Sequence, residues 1–509
     1  MRIKFLKIMK MLFSKIALSF LMLSLQVAAM VFFAYKAAEA FVWFQTASIV
    51  LSVILVLIII NKVEPSEYKV PWIILIMLLP IFGATIYVLF ANPTIPARTH
   101  KRLSEISAEL SGFSNFEEDT DTYLDRFVGV DRYLVANGSD GARLNNRISY
   151  FPIGEEFFED FKAELKKAER FIFLEYFIID PGQMWDETHE ILLEKVARGV
   201  DVRIIYDEMG TLGKLKSNFY KTLCREGIKC IKFNPFIPVV SGIYNNRDHR
   251  KIVVIDGKVG YTGGLNIGDE YINKNKRLGI WKDNAIKIEG NAVDGLTKLF
   301  LISFDQQTKS NSDYASFLEQ DAPSFPDEPG AVTVFGDGPR PFYSERIGEN
   351  NFLNLISLAK ERIWITTPYL IPDYTLLNAL RIAAMRGVEV KIVTPHIPDK
   401  LIVFGITKSN YEYLLDAGVE IYEYTPGFMH AKTMLIDDEA AFVGTINLDY
   451  RSLVHHYEDG AVLYYAPCLS EIKQDYLNII AQSEPIANDY HLKLTKLITA
   501  IFRVFSPML

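Results

Sequence analysis

A chain of 509 residues has room for more than one folded domain and for a deep site between packed parts. Its three cysteines, Cys224, Cys230 and Cys468, fall at no metal-ligand spacing and cannot all pair, which argues against a disulfide framework. The net charge is −8, and the nine Lys and Arg against three acids up to Arg98 leave 45 basic and 59 acidic residues beyond it, a balance that opposes nucleic acid as a partner.

Most of the hydrophobic excess lies before residue 95. The runs 16–35, 40–60 and 70–91 are each long enough, at about 1.5 Å per residue, to cross a hydrocarbon core of about 30 Å. They predict three transmembrane helices in an anchor over residues 1–95. Arg2, Lys4, Lys7 and Lys10 before the first run also suit a secretory signal, but the run is long for one and lacks a small-residue cleavage site, so it reads as an uncleaved helix. Residues 96–150 are polar, with FEEDTDT and NGSDGARLNN, and read as a connector with little core of its own.

Beyond the connector, β-like runs alternate with helix-like stretches, which predicts an α/β fold. FIFLEYFII (171–179) reads as a strand, HEILLEKVARGV (189–200) as a helix and DVRIIYD (201–207) as a strand. The order recurs: RIWITTPYLI (362–371) answers the first strand, ALRIAAMRGVEVKIVTP (379–395) the helix and second strand, and DAGVEIYEYTP (416–426) answers REGIKCIKFNP. Two copies of one unit follow, 151–308 and 341–485, joined by a linker rich in Pro, Gly and acid over 309–340 and followed by a tail over 486–509.

Each copy carries His-x-Lys-x4-Asp-x6-Gly-x2-Asn. In the first it comprises His249, Lys251, Asp256, Gly263 and Asn266, and in the second His430, Lys432, Asp437, Gly444 and Asn447. Two matches at equivalent places in a chain with 8 histidines point to chemistry, where a lone histidine would more often satisfy a core hydrogen bond. Side chains two apart on a strand share a face, so His and Lys point into one site. Asp256 and Gly257 read as a hairpin turn that brings Asn266 back to it. Histidine can attack phosphorus or move a proton, lysine neutralises charge, and an amide donates to an oxygen. Two such sets across a pseudo-two-fold would surround a phosphodiester. A nucleophilic imidazole needs an acceptor on its other nitrogen, and Asp283 and Glu458, each just ahead of a strand, are the candidates. Asp256 and Asp437, although part of the motif, are expected to hold the turn. His455 and His456 have no second ligand spacing that would support a metal.

This duplicated motif resembles the signature of the phospholipase D superfamily over nearly all of residues 150–485. The resemblance implies two tandem repeats, a phosphohistidine intermediate, and neither a metal in the chemical step nor a cofactor. LPIFGATIYVLFANP, RDHRKIVVIDGKVGYTGGLNIGDEY, WKDNAIKIEG and GTINLDYRSL are similar to the bacterial cardiolipin synthase branch. That branch implies a cell-membrane phosphatidyltransferase acting on phosphatidylglycerol. His249 would be its nucleophile, His430 its general acid and base, and Lys251, Lys432, Asn266 and Asn447 its phosphate ligands. The helix at 16–35 looks additional to the branch. A hydrolytic phospholipase D, or a transferase using another alcohol, is the alternative reading. Two further stretches bear on lipid. Phe236, Ile237, Val239, Val240, Ile243 and Tyr244 lie in an insertion ahead of the first histidine. Leu494, Leu497, Ile498, Ile501, Phe502 and Phe505 recur at helical spacing in the tail. Each suits either lipid contact or packing on the domain.

Overall fold

The structure is a computed structural model and describes residues 15–36, 38–91, 97–113, 120–235, 245–318 and 321–487, with Phe502 and Val504. The insertion at 236–244 and nearly all of the tail lie outside the described residues. The chain separates into two compact units, one built mainly on the N-terminal helices and one on the α/β body from residue 97 onward.

In the first unit, Lys15–Lys36 and Ala38–Ile60 are long helices, and Val42–Ile60 is long and apolar enough to cross a membrane, with mean hydropathy 2.5. The run 70–91 is not one span but falls in two helices, Ser66–Leu78 and Pro80–Phe90. Pro80 has no N–H to continue the ladder, and its ring drives Leu79 out of the helical region, to φ −134° and ψ 78°. The chain then doubles back, since a Cβ on Gly83 would lie 2.6 Å from the Leu75 carbonyl oxygen. Such a break frees N–H groups at the new helix start. The Phe82 N–H donates 2.9 Å to the side-chain oxygen of Gln26, a buried amide in the middle of Lys15–Lys36.

The second unit contains two sheets of matching order. The first is built from β1 (Arg147–Phe151), β2 (Phe171–Tyr176), β3 (Asp201–Asp207), β4 (Lys229–Phe233), β5 (Lys251–Ile255), β6 (Val259–Gly263) and β8 (Ala285–Glu289), with the short β7 (Ile280–Lys282) outside it. The second contains β9 (Ala331–Asp337), β10 (Arg362–Thr366), β12 (Glu389–Pro395), β13 (Glu420–Tyr424), β15 (Thr433–Ile436), β16 (Ala440–Gly444), β18 (Glu458–Tyr464) and β19 (Ser483–Pro485). The two-residue β11 (Leu370–Ile371) and β17 (Leu448–Asp449) pair with each other, and β14 (Gly427–Met429) pairs with β7. The orders are β1-β8-β6-β5-β2-β3-β4 and β9-β18-β16-β15-β10-β12-β13-β19, so the halves differ only by an added edge strand. In each half three strands run parallel and the motif hairpin, β5–β6 or β15–β16, joins them antiparallel.

Side-chain alternation explains the layers. Phe173, Ile205 and Val254 of the first sheet meet Leu435, Val443 and Leu463 of the second in one core, together with the helix Val293–Thr308. Their neighbours Ile172, Leu174 and Val253 face outward onto the helices Gly154–Lys167 and Gln183–Ala197, and Ile363, Ile365 and Met434 face Ile347–Leu358 and Tyr374–Met385. Both Arg-Gly-Val segments end a helix in the same way. Gly199 (φ +88°) and Gly387 (φ +96°) take the left-handed conformation, and the Val200 and Val388 N–H groups each bond 3.1 Å back to Lys195 and Ala383 carbonyls.

The segment read as a connector is helical, and Leu103, Ile106, Leu110, Leu124, Phe127, Val130 and Leu134 within it are buried. The stretch read as a linker contains β9, which closes the second sheet against β18. The motif aspartates, although they share the motif with the histidines and lysines, sit at the far end of β5 and β15 from the lysines and outside the site. Asp256 accepts the N–H groups of Glu169, Arg170 and Phe171 at 2.8–2.9 Å. Asp437 accepts those of Lys360, Glu361 and Arg362 at 2.7–2.8 Å and a bond from Arg126 at 2.8 Å. Each clamps the turn after one strand to the start of the next, which is a structural role. Asp437→Ala leaves three strand-start donors and a guanidinium without their acceptor, so the unfolding free energy should fall by about 3 kcal/mol. Denaturant unfolding of the full chain in detergent micelles measures this, and an unchanged midpoint would contradict the clamp.

Candidate active site

The two halves exchange strands at the motif. Ahead of His249, Asp248 bridges Tyr457 in parallel, the His249 N–H donates to the Tyr457 carbonyl and the Tyr457 N–H to that of Arg247, both at 2.8 Å. Ahead of His430, β14 pairs in parallel with β7, placing Phe428 opposite Trp281, and the His430 N–H donates 2.7 Å to the Lys282 carbonyl. Each histidine therefore lies beside the residue that precedes the other half's acid. Nδ1 of His249 is 3.0 and 2.8 Å from the two carboxylate oxygens of Glu458. Nδ1 of His430 is 2.5 Å from Oδ2 of Asp283. The sequence points to both acids, but the crossing appears only in the fold.

Lys251 opens β5 and Lys432 stands just ahead of β15, both buried, each with Nζ donating to the carbonyl of the histidine two residues before it. Lys432 Nζ also lies 2.9 Å from His430 Nδ1. The asparagines differ. Asn266 is engaged, accepting from the Ile178 N–H at 3.0 Å and donating 2.6 Å to the Tyr271 hydroxyl. Asn447 Oδ1 has no hydrogen-bond partner among the described residues. The acids are also seated differently. Thr445 donates 2.5 Å to Glu458. Its counterpart Gly264 has no side chain because a Cβ there would fall 2.0 Å from Asp283 Oδ1.

Burial sets the protonation states. It pushes His249 down to about 3 against the opposing pull of Glu458, and His430 down to about 4, helped by the Lys432 charge. Burial also works to raise Glu458 and Asp283. For Glu458 the charge and hydrogen bond of His249 prevail, and for Asp283 the charges of Lys432 and His430 do, so both carboxyls stay below their ordinary range. At neutral pH the geometry is thus carboxylate···H–Nδ1 with a free electron pair at Nε2, the form in which an imidazole attacks phosphorus. Burial lowers Lys251 to about 8 and Lys432 to about 7.

Sequence reasoning missed the rings around the imidazoles. Phe177 (ring centroids 5.1 Å apart) and His456 (5.4 Å) flank His249. Trp281 (5.0 Å), Tyr271 and Phe428 (5.8 Å each) surround His430. Trp281 and His456 each stand two residues before a backing acid, a signal that aligning the two copies on those acids exposes. His249, His456 and Glu458 bring donor atoms within 4.8 Å of one another, a set that suits a divalent cation. A cation there would displace the His249–Glu458 bond.

Residues 161–300 and 352–480 match the family described as cardiolipin synthase, phospholipase D-like domain, and residues 50–92 match a phospholipase D-nuclease N-terminal family. The first of these spans more than half of the chain. The chain belongs to the cardiolipin synthase family of the phospholipase D superfamily. It is 32% identical to a cardiolipin synthase of Halalkalibacterium halodurans over 89% of this chain and 91% of the relative, and 33% identical to one of Geobacillus kaustophilus over 90% and 92%. An uncharacterized protein of Streptococcus mutans is 40% identical over 89% of this chain and 99% of its own length. The fold matches a crystal structure of phosphatidylserine synthase from Haemophilus influenzae, with TM-score 0.54 and 14% identity, covering 71% of this chain and 93% of that one. Membership in the family and its N-terminal match make this a membrane-associated protein.

The site should lose activity with rising pH, because its cations are the groups closest to deprotonation. As pH rises through about 7 and about 8, Lys432 and Lys251 lose charge, and kcat/KM should fall. Asp283 raises the pKa of Lys432, so Asp283→Asn lowers it and should move this alkaline limb to lower pH. A pH profile of kcat/KM in both proteins checks this. A limb that stays in place would separate Lys432 from the rate.

Proposed function

We propose that the chain transfers phosphatidyl from one phosphatidylglycerol to the terminal hydroxyl of another, releasing glycerol and forming cardiolipin. The observation that carries this reading is the crossed pair of histidine and carboxylate, flanked by two buried lysines, in a chain of this family. His249 Nε2 attacks phosphorus, the phosphorus–nitrogen bond forms, and the phosphorus–oxygen bond to the departing glycerol breaks. His430 delivers a proton to that oxygen. In the second half the acceptor hydroxyl gives its proton to His430 and attacks phosphorus, and His249 leaves.

His430 must be protonated at the first step, whereas burial and Lys432 hold it neutral in the free protein. An anionic phosphodiester beside it raises its pKa, so the proton enters with the substrate. Lys251 and Lys432 neutralise the phosphoryl oxygens, and the free oxygen of Asn447 supports a place for that amide among them. Asp283 and Glu458 orient the rings. The chemistry at phosphorus does not itself choose between alcohol and water, which leaves hydrolysis to phosphatidic acid as the second reading.

The reading includes a multi-pass anchor over residues 1–95 in a bacterial cell membrane, followed by the two repeats, which β1 and β9 extend back to 147 and 331, and a tail at 486–509. Val42–Ile60 supports one crossing, and the capping of the broken helix by Gln26 supports Lys15–Lys36 as a permanent part of the anchor rather than a removable signal. The five cations from Arg2 to Lys15 favour an inside N-terminus.

Incubated with phosphatidylglycerol vesicles, the purified protein should yield cardiolipin and glycerol in equal amounts. Phosphatidic acid without cardiolipin would replace this reading with the hydrolytic one. Lys251→Ala and Lys432→Ala should each lower turnover by about a hundredfold or more while folding normally.

A further inference from the structure

Trp281 and His456 occupy equivalent positions, two residues ahead of Asp283 and Glu458. Trp281 lies on β7 and His456 in the bend ahead of β18, and each ring comes to rest beside the imidazole that the acid holds. The distances agree, at 5.0 Å between the Trp281 and His430 rings and 5.4 Å between those of His456 and His249. Both rings are buried, at 8% exposure each. Trp281 Nε1 and His456 Nε2 have no hydrogen-bond partner among the described residues, and His456 Nδ1 comes no closer to Glu458 than 3.4 Å. A buried polar ring nitrogen without a partner costs stability on the order of 1–3 kcal/mol, so two of them at matched places call for a cause. Their depth does not remove them from substrate, because His249 (7%) and His430 (8%) are no more exposed.

We propose that Trp281 and His456 form a pair of ring donors that bind the oxygens of the phosphoglycerol headgroup, completing the site that the motif residues begin. The proposal rests on the phosphatidyl-transfer reading. Trp281, beside the imidazole that protonates the departing oxygen and deprotonates the arriving one, donates to the glycerol hydroxyl. His456, beside the nucleophile, donates to a phosphoryl oxygen. The unequal donors give the pseudo-symmetric site a direction. Indole can only donate and suits a neutral hydroxyl that is also hydrogen-bonded to His430, while the smaller imidazole leaves room for phosphorus near His249.

The test uses Trp281→Phe, His456→Phe and His456→Gln in the full chain, with phosphatidylglycerol vesicles as substrate. Trp281→Phe keeps the ring and removes the N–H. It should keep or raise the melting temperature, lower kcat/KM by tenfold or more, and increase the share of phosphatidic acid over cardiolipin, because the acceptor alcohol is no longer held. His456→Phe should lower kcat/KM by a similar factor without changing that share, and His456→Gln, which restores a donor, should recover part of it. Wild-type kcat/KM in both phenylalanine variants would overturn the proposal. So would losses accompanied by a falling melting temperature, which would mark the rings as packing. Activity of the wild type that is altered by a chelator, with the alteration absent in His456→Phe, would reassign His456 to a metal. If wild type itself forms neither cardiolipin nor phosphatidic acid, the transfer reading fails instead, and the variants are then judged by binding of phosphatidylglycerol vesicles.

Discussion

The crossed bonds from His249 to Glu458 and from His430 to Asp283 are the constraint to which the rest of this unit answers. Each motif histidine takes its carboxylate from the other half. The halves must therefore be held in register to within hydrogen-bond tolerance, and the structure does this with backbone. Parallel pairing of β14 with β7, and of Asp248 with Tyr457, carries the histidine of one copy past the acid of the other. The core shared by the two sheets and the helix Val293–Thr308 packs against Tyr457, and Trp281 and Phe428 pack together in the core of the first half. A duplicated sequence thus becomes one site only through an interface that each copy builds from equivalent positions.

Burial makes the arrangement chemically useful and costly together. Removing water strengthens each histidine–carboxylate bond and keeps the imidazoles neutral, and it also lowers the lysines toward neutrality. In the proposed reaction an arriving phosphodiester anion reverses the last effect by favouring protonated lysine and a protonated His430. The substrate completes the charge balance of its own site, so catalytic protonation is coupled to binding. The small departures from symmetry, Thr445 against Gly264, His456 against Trp281, and an Asn447 oxygen without a partner among the described residues against an engaged Asn266, would give the two similar imidazoles different duties in the proposed reaction.

Where a side chain's role was tied to a local pattern, it was legible in the sequence. The recurrence of strand, helix and Arg-Gly-Val located β2, β3, β10 and β12, the Asp256–Gly257 turn joined β5 to β6, and the spacing to the next strand found Asp283 and Glu458. What stayed hidden is non-local. β1 and β9 each pair across the sheet with a strand more than a hundred residues away, and their short runs sit among turn-forming residues. The crossing of acids between copies requires the register of β14 on β7, which no linear pattern encodes. The break at Pro80 was readable in principle, but an unbroken apolar run outweighed one proline that blocks the helix ladder.

In the proposed reaction the two histidines are unequal, with His249 attacking and His430 only moving protons. Trapping the covalent intermediate with an activated phosphatidyl ester, whose leaving group departs without a proton, tests it most directly. Mass spectrometry of the quenched protein should find an acid-labile phosphatidyl group on His249 in the His430→Ala variant, and none in His249→Ala. A label on His430 in the His249→Ala variant, with none on His249 in His430→Ala, would contradict the account.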